Sequence, residues 1–194
     1  EMRRLRRESI EAGGLGFSTG RSVTHNDWDG NPVPRRWAAW DEVLELCRET
    51  SEHEGTTLEW VADGCLNGFS DDEVELMTKM SVEGRRPLNW NVLTIDSARP
   101  DAYQNQIAAC EKANAEGARV VALTMPILVG MNMSLGTFCA LHQLPEWRSV
   151  FDLPYPERME KLRDPEVVTW LENQAALPEA GVFSRLTGWD RYLI

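Results

Sequence analysis

Histidine is scarce in this sequence. The 194 residues hold three, His25, His53 and His142, far apart in the chain. No His-x-His and no His-Glu-x-x-His spacing occurs, so the histidines cannot build a zinc site among themselves. The four cysteines, Cys47, Cys65, Cys110 and Cys139, are equally dispersed. Without a Cys-x-x-Cys pair, the zinc-finger and thioredoxin readings fail. Reduced thiols and a cytoplasmic setting are the simpler expectation. Basic residues are outnumbered, 20 against 31 acids, for a net charge of −11. Such a chain repels nucleic acid and anionic membrane, and neither is expected as a partner. No apolar run approaches the roughly 18 residues that span a bilayer. The opening residues are charged and do not read as a leader. The first helical pattern opens at Glu1 without a cap, and the chain closes on the apolar "GWDRYLI". An internal segment of a longer protein is expected.

What is present is a core-forming composition, 42% hydrophobic, ordinary for a globular domain. A helix is predicted over Met2–Ala12, with Arg3, Arg4, Arg6 and Arg7 as a solvated face. Gly13 and Gly14 end it, and "LGFST" reads as a short buried strand. "RWAAWDEVLELCRETSEHEG" reads as a helix whose apolar face is Trp37, Trp40, Val43, Leu44 and Cys47. "TTLEWVAD" is strand-like in its β-branched and aromatic content. Ser70 and Glu73 form a capping box for "SDDEVELMTKMSVEG", with Asp71 and Asp72 at the positive end of the helix dipole. "RPLNWNVLTI" (86–95) is a strand, "RPDAYQNQIAACEKANAEG" a helix and "ARVVALTMPIL" (118–128) a strand. Each helix closes on Glu-Gly before a β-rich run.

Strands separated by helices must be parallel, with right-handed crossovers. The fold class is therefore α/β, with the rhythm of a (β/α) barrel or a doubly wound sheet. Regular βα units occupy 1–125. From Pro126 the rhythm breaks, and 126–194 reads as a helical excursion of the kind that forms lids. Within it, "YPERMEKLRDPEVVTWLEN" gives two short helices, each opening near a proline.

The stretch "GGLGFSTGRSVTHNDWDGNPVPRR" invites several chemical readings. A Walker phosphate loop needs a lysine after Gly20, and none follows. A dinucleotide fingerprint needs its glycines to open a helix, but Gly14, Gly16 and Gly20 straddle a strand. "DWDGN" resembles the start of a calcium loop, yet Arg35 and Arg36 stand where the closing acid belongs, and a turn is the simpler reading. "GFSTG" matches Gly-x-Ser-x-Gly, but a nucleophile elbow leads directly into a helix, and here a long loop with two prolines follows. His53, at a helix end, is expected to be exposed.

A pocket rim remains. In parallel βα folds the C-terminal strand ends carry the chemistry. Here they supply Ser18, Thr19, Arg21, His25, Asp63, Asn89 and Asn91 as pocket candidates. Alternation puts Asn89 and Asn91 on one face and Leu88 and Trp90 on the other. In "TLEWVAD" it aims Glu59 and Asp63 to the polar side. Buried polar groups must be paired, so these residues either bond one another or bind a ligand.

These residues also carry a resemblance. "EAGGLGFSTGRSVTHNDWDGNPVPRR" resembles a segment of the N-acyl-D-amino-acid deacylase (D-aminoacylase) family of the amidohydrolase superfamily. There the chain reads Ala-Gly-Ala-Leu-Gly, Phe or Leu, Ser, Thr or Ser, then Gly or Arg. "RPLNW", "ANAEGARV" and "LRDPEV" follow in matching order. The resemblance implies a metal-dependent (β/α)8 TIM barrel that hydrolyses amide C–N bonds, with about four central strands and a helical excursion in this chain. It implies Zn2+ in the full-length protein, activating a water for attack on N-acyl-D-amino-acid-like small molecules. It places an HxH pair upstream of Glu1 and a catalytic aspartate beyond Ile194, so the rest of the barrel lies outside this chain. The family also carries a histidine ligand on each of two middle strands. The matching stretches here, "LEWVADG" and "LNWNVLT", have none. Val61 or Asp63 falls at the first position and Asn91 or Val92 at the second. Asp63, a hard oxygen donor, is the one metal candidate. The alternative expectation is a metal-free binding protein or an inactive homologue.

Overall fold

A computed structural model describes residues 1–95, 99–127 and 130–192. The element order is α1 (Met2–Glu11), β1 (Gly16–Gly20), α2 (Trp40–Ser51), β2 (Thr57–Val61), α3 (Gly64–Asn67), α4 (Asp71–Gly84), β3 (Leu88–Asn91), α5 (Tyr103–Ala115) and β4 (Val120–Leu123). Then come α6 (Arg148–Phe151), α7 (Tyr155–Lys161) and α8 (Pro165–Ala175), with 3-10 segments before α6 and after α8. The four strands form one parallel sheet in the order β1-β2-β3-β4. This is the α/β, parallel βα arrangement that the alternation of periods predicts, and it is compatible with part of a (β/α) barrel. Among the described residues, no helix is long and apolar enough to cross a membrane.

Contacts divide the chain into two units, Glu1–His25 with Val33–Val129, and Asn26–Pro32 with Gly130–Ile194. In the first, alternation decides which side of the sheet is dry. Leu58, Trp60, Leu88, Trp90 and Val120 are buried together with Val43, Cys47, Met77, Met80 and Ala113 from α2, α4 and α5. Phe69 joins the two central tryptophans, stacked on Trp60 at 6.2 Å and edge-on to Trp90 at 5.0 Å. Each such fully buried side chain contributes about 1.5–3 kcal/mol. The four cysteines are free and buried, as small hydrophobes. The second unit has its own core, in which Leu141, Leu144, Trp147, Phe151 and Leu171 pack together.

The capping box forms: Ser70 Oγ accepts from the Glu73 amide while Glu73 accepts from the Ser70 amide. The Glu-Gly pattern does not act uniformly. Gly55 and Gly117 take positive φ, but at Glu83-Gly84 the helix runs through the glycine, and Arg85 adopts the left-handed conformation instead. Gly84 serves packing: a Cβ there would stand 2.8 Å from Leu58 Cδ1.

Several expectations are corrected. The strand read over 86–95 narrows to Leu88–Asn91 and the one over 118–128 to Val120–Leu123; Leu128 lies outside the described residues. Beyond these strands, contact continues through Leu93 N–H donating to the Leu123 carbonyl at 2.8 Å. Trp37 is not on the apolar face of α2. It ends a 3-10 turn opened by Pro34 and is 76% exposed, because extended residues at Ala38 and Ala39 restart the chain at Trp40. His53 is half-buried rather than exposed, with Nε2 lacking a partner.

The arginines of α1 are not simply a solvated face. The helix buries no residue of its own. Arg3 Nε and Arg7 Nε donate to the two oxygens of Glu49, at 2.9 and 2.7 Å, and the Glu49 side chain is 0% exposed. Arg6 donates to Thr50 and lies over the Phe17 ring. The α1 helix is thus docked by charge onto α2. The Arg7 hydrogen bond, then that of Arg3, holds the Glu49 carboxyl below the usual carboxylate range. A folded-state value that is depressed contributes stability above the ordinary carboxylate range, and the contribution is lost as pH falls through the folded value. Glu49→Ala is expected to cost about 1–2 kcal/mol in denaturant unfolding and to speed amide exchange across α1. Arg4→Ala, which removes only pairs within the helix to Glu1 and Glu8, should leave exchange nearly unchanged.

Candidate functional site

The strand ends of the first unit gather some of the predicted residues and separate others. Register places Ser18 beside Glu59, and Glu59 beside Asn89. With Asn91 they form the polar face of the sheet, opposite the helices. There Asn91 Nδ2 donates to Glu59 Oε1 at 2.6 Å. Asn91 Oδ1 is buried without a partner, so this pair offers one acceptor to a ligand or a water. Thr19 points the other way. It is buried and borders, with Val43 and Leu46, a cavity of about 370 Å³ whose edge Ser18 also reaches. Strand alternation explains the split: Ser18 and Thr19 are neighbours and must lie on opposite faces.

Arg21 and Asp63 come together. Both line a cavity of about 470 Å³ with Arg36, Trp40, Trp60 and Glu73. Two backbone contacts hold Asp63 and its loop. Its Oδ1 accepts from the Val23 amide at 2.8 Å, which ties the β1 loop to the end of β2. The next residue, Gly64, donates its amide to Glu73 Oε1 at 3.0 Å. The capping-box glutamate of α4 therefore also fixes the turn that carries Asp63. Among the described residues the Arg21 guanidinium has no carboxylate within ion-pairing distance. Trp60, only 1% exposed, has an Nε1–H without an acceptor. A buried donor left unpaired in a cavity wall favours a ligand with acceptor oxygens. Trp60 had no signal in the sequence, where it reads as a core residue; only the structure puts it beside a cavity.

His25 packs over Gly20, where a Cβ would stand 3.0 Å from its Nδ1. That nitrogen lies 2.6 Å from Arg35 Nη2 and accepts from it. Burial first, then the charges of Arg35 and Arg36, push the imidazole below its ordinary value. His25 is thus a neutral rim residue. The "DWDGN" stretch is a turn in the second unit. Asp27 Oδ1 accepts from the amides of Asp29 and Asn31, and Asn26 bridges to Pro32. The loop read as one piece is therefore divided between the units after His25.

Among the described residues, no three His, Cys, Asp or Glu side chains converge as a metal-holding group. Asp63 has one oxygen engaged by the Val23 amide, and Asn91 is bonded to Glu59. These residues do not fit a zinc site by themselves. No family model, no curated protein and no solved structure matches the chain.

Because the His25 value is depressed in the folded state, its contribution to stability is present above pH ~6.5, the ordinary histidine value, and is lost as pH falls through the folded value. An NMR titration of the His25 ring should give a midpoint below that of a free histidine. Arg35→Gln should move it upward; an unmoved midpoint would discard the assigned cause.

Proposed function

We propose that this chain is part of an amidohydrolase of the N-acyl-D-amino-acid deacylase kind, and that its strand-end cavity receives a small N-acylated amino acid. The observation that carries the reading is the cavity at Asp63. At about 470 Å³ it falls within the roughly 300–1,000 Å³ range of small-molecule sites. Its lining includes one arginine without a carboxylate partner and one buried indole N–H without an acceptor. Arg21 would pair the substrate carboxylate through its planar fork. The Trp60 N–H would donate to a carboxylate or acyl oxygen, and the second oxygen of Asp63 would accept from the amide N–H. The residues of this chain bind and orient. In this reading Zn2+ would be held by residues other than those described and would supply an activated water, and no step at the metal is assigned to the residues described.

A second reading, a metal-free binding protein of the same fold, is favoured by the internal bond between Glu59 and Asn91. That bond engages Asn91, one of the middle-strand positions where the resemblance calls for a ligand.

The test is metal analysis and amine release from N-acetyl-D-amino acids by the full-length protein. Stoichiometric zinc, with hydrolysis abolished by chelation, is expected. Arg21→Gln should raise KM about tenfold with kcat changed far less, because a carboxylate contact made equally in ground and transition states affects binding alone. The 194-residue chain by itself is expected to be inactive. A zinc-free protein that binds N-acyl amino acids without hydrolysing them would establish the second reading. Absence of both binding and hydrolysis would reject both.

A further inference from the structure

The second unit contains a cavity of about 280 Å³ lined by Trp28, Phe138, His142, Arg148, Asp152 and Arg158, with Asp29 also at its edge. Arg158 is unusual. It is 9% exposed, and its guanidinium donates to the Leu135 and Leu153 carbonyls and lies 5.9 Å from the Phe151 ring centre. Its Nε–H is buried without an acceptor. Among the described residues no carboxylate lies within ion-pairing distance of it. The other cation of the cavity, Arg148, is neutralised by Asp152 at 3.1 Å. A buried charge without a counter-ion is costly, and protein interiors rarely leave one so.

His142 adds to the picture. It is buried between Phe138 and Phe151, with ring centres 4.6 and 5.1 Å away. Its Nδ1 is tied to the backbone of Cys139, 3.2 Å from the amide nitrogen and 3.0 Å from the carbonyl oxygen. Nε2 is then the ring nitrogen left for the cavity.

We propose that this cavity binds the carboxylate of a small organic acid, with Arg158 as its counter-ion and His142 as a neutral polar neighbour. One uncompensated guanidinium balances one negative charge. Asp29 at the edge adds negative potential and disfavours a phosphate dianion. The planar guanidinium fork matches a carboxylate. The site lies wholly within the second unit and is independent of the strand-end cavity.

The test titrates the full chain with lactate and benzoate, their neutral amides, and inorganic phosphate, followed by NMR. The expected result is saturable one-to-one binding of at least one acid, with its amide at least ~10-fold weaker. Arg158→Gln should weaken the acid by ~10-fold or more. Since that variant also removes the links to Leu135 and Leu153, Asp29→Asn provides a check that leaves folding intact. Asp29 is exposed, and its removal relieves repulsion, so it should tighten acid binding several-fold at low salt. Several outcomes would overturn the proposal: no saturable binding of either acid, equal binding of acid and amide, preference for phosphate, or weaker acid binding by Asp29→Asn.

Discussion

The first unit depends on one constraint, the burial of a single face of a parallel sheet. Leu58 and Trp60 on β2, and Leu88 and Trp90 on β3, must all leave water on the same side. Phe69 fills the space between the two indoles. Once that side is fixed, the pleat leaves no choice for the alternate residues. Ser18, Glu59, Asn89 and Asn91 are forced to the opposite face, and the strand ends fall in register. The polar face is thus a consequence of the dry one.

The same packing makes the cavity at Asp63 possible. Helix α4 must start close to the end of β2 to lay Leu76, Met77 and Met80 on the sheet. Its capping glutamate then reaches Gly64, and the turn holding Asp63 is fixed by a group whose first task is to cap the start of a helix. Trp60 contributes its ring to the core and also borders the cavity. Core and site share atoms here, so a substitution in one is felt in the other.

The second unit uses charge differently. Arg158 donates to two loop carbonyls and has no carboxylate in ion-pairing distance among the described residues, whereas in the first unit Glu49 is fully enclosed and answered by two arginines from α1. The contrast shows why a count of acids and bases says little about a particular site. The net charge is negative, yet each unit has beside a cavity a guanidinium with no carboxylate in ion-pairing distance among the described residues, Arg21 in one and Arg158 in the other.

Local pattern determined the parallel βα order, the capping box at Ser70 and Glu73, the burial of Cys47 on the apolar face of α2 and the polar face carrying Asn89 and Asn91. These follow from neighbours a few residues apart, where the 3.6 and 2.0 residue repeats act directly. Tertiary structure alone decided what the arginines of α1 touch, because Glu49 is remote in sequence and reads as an ordinary helix acid. It alone brought Arg21 and Asp63 to the wall of one cavity, turned Thr19 toward the helices and gave Trp60 a place in that wall. It also placed Asn26–Pro32 with the second unit, where Trp28 meets Phe138. Such contacts join residues that local pattern cannot relate, since a side chain's partner across a fold depends on where the backbone has already been carried by the burial of others.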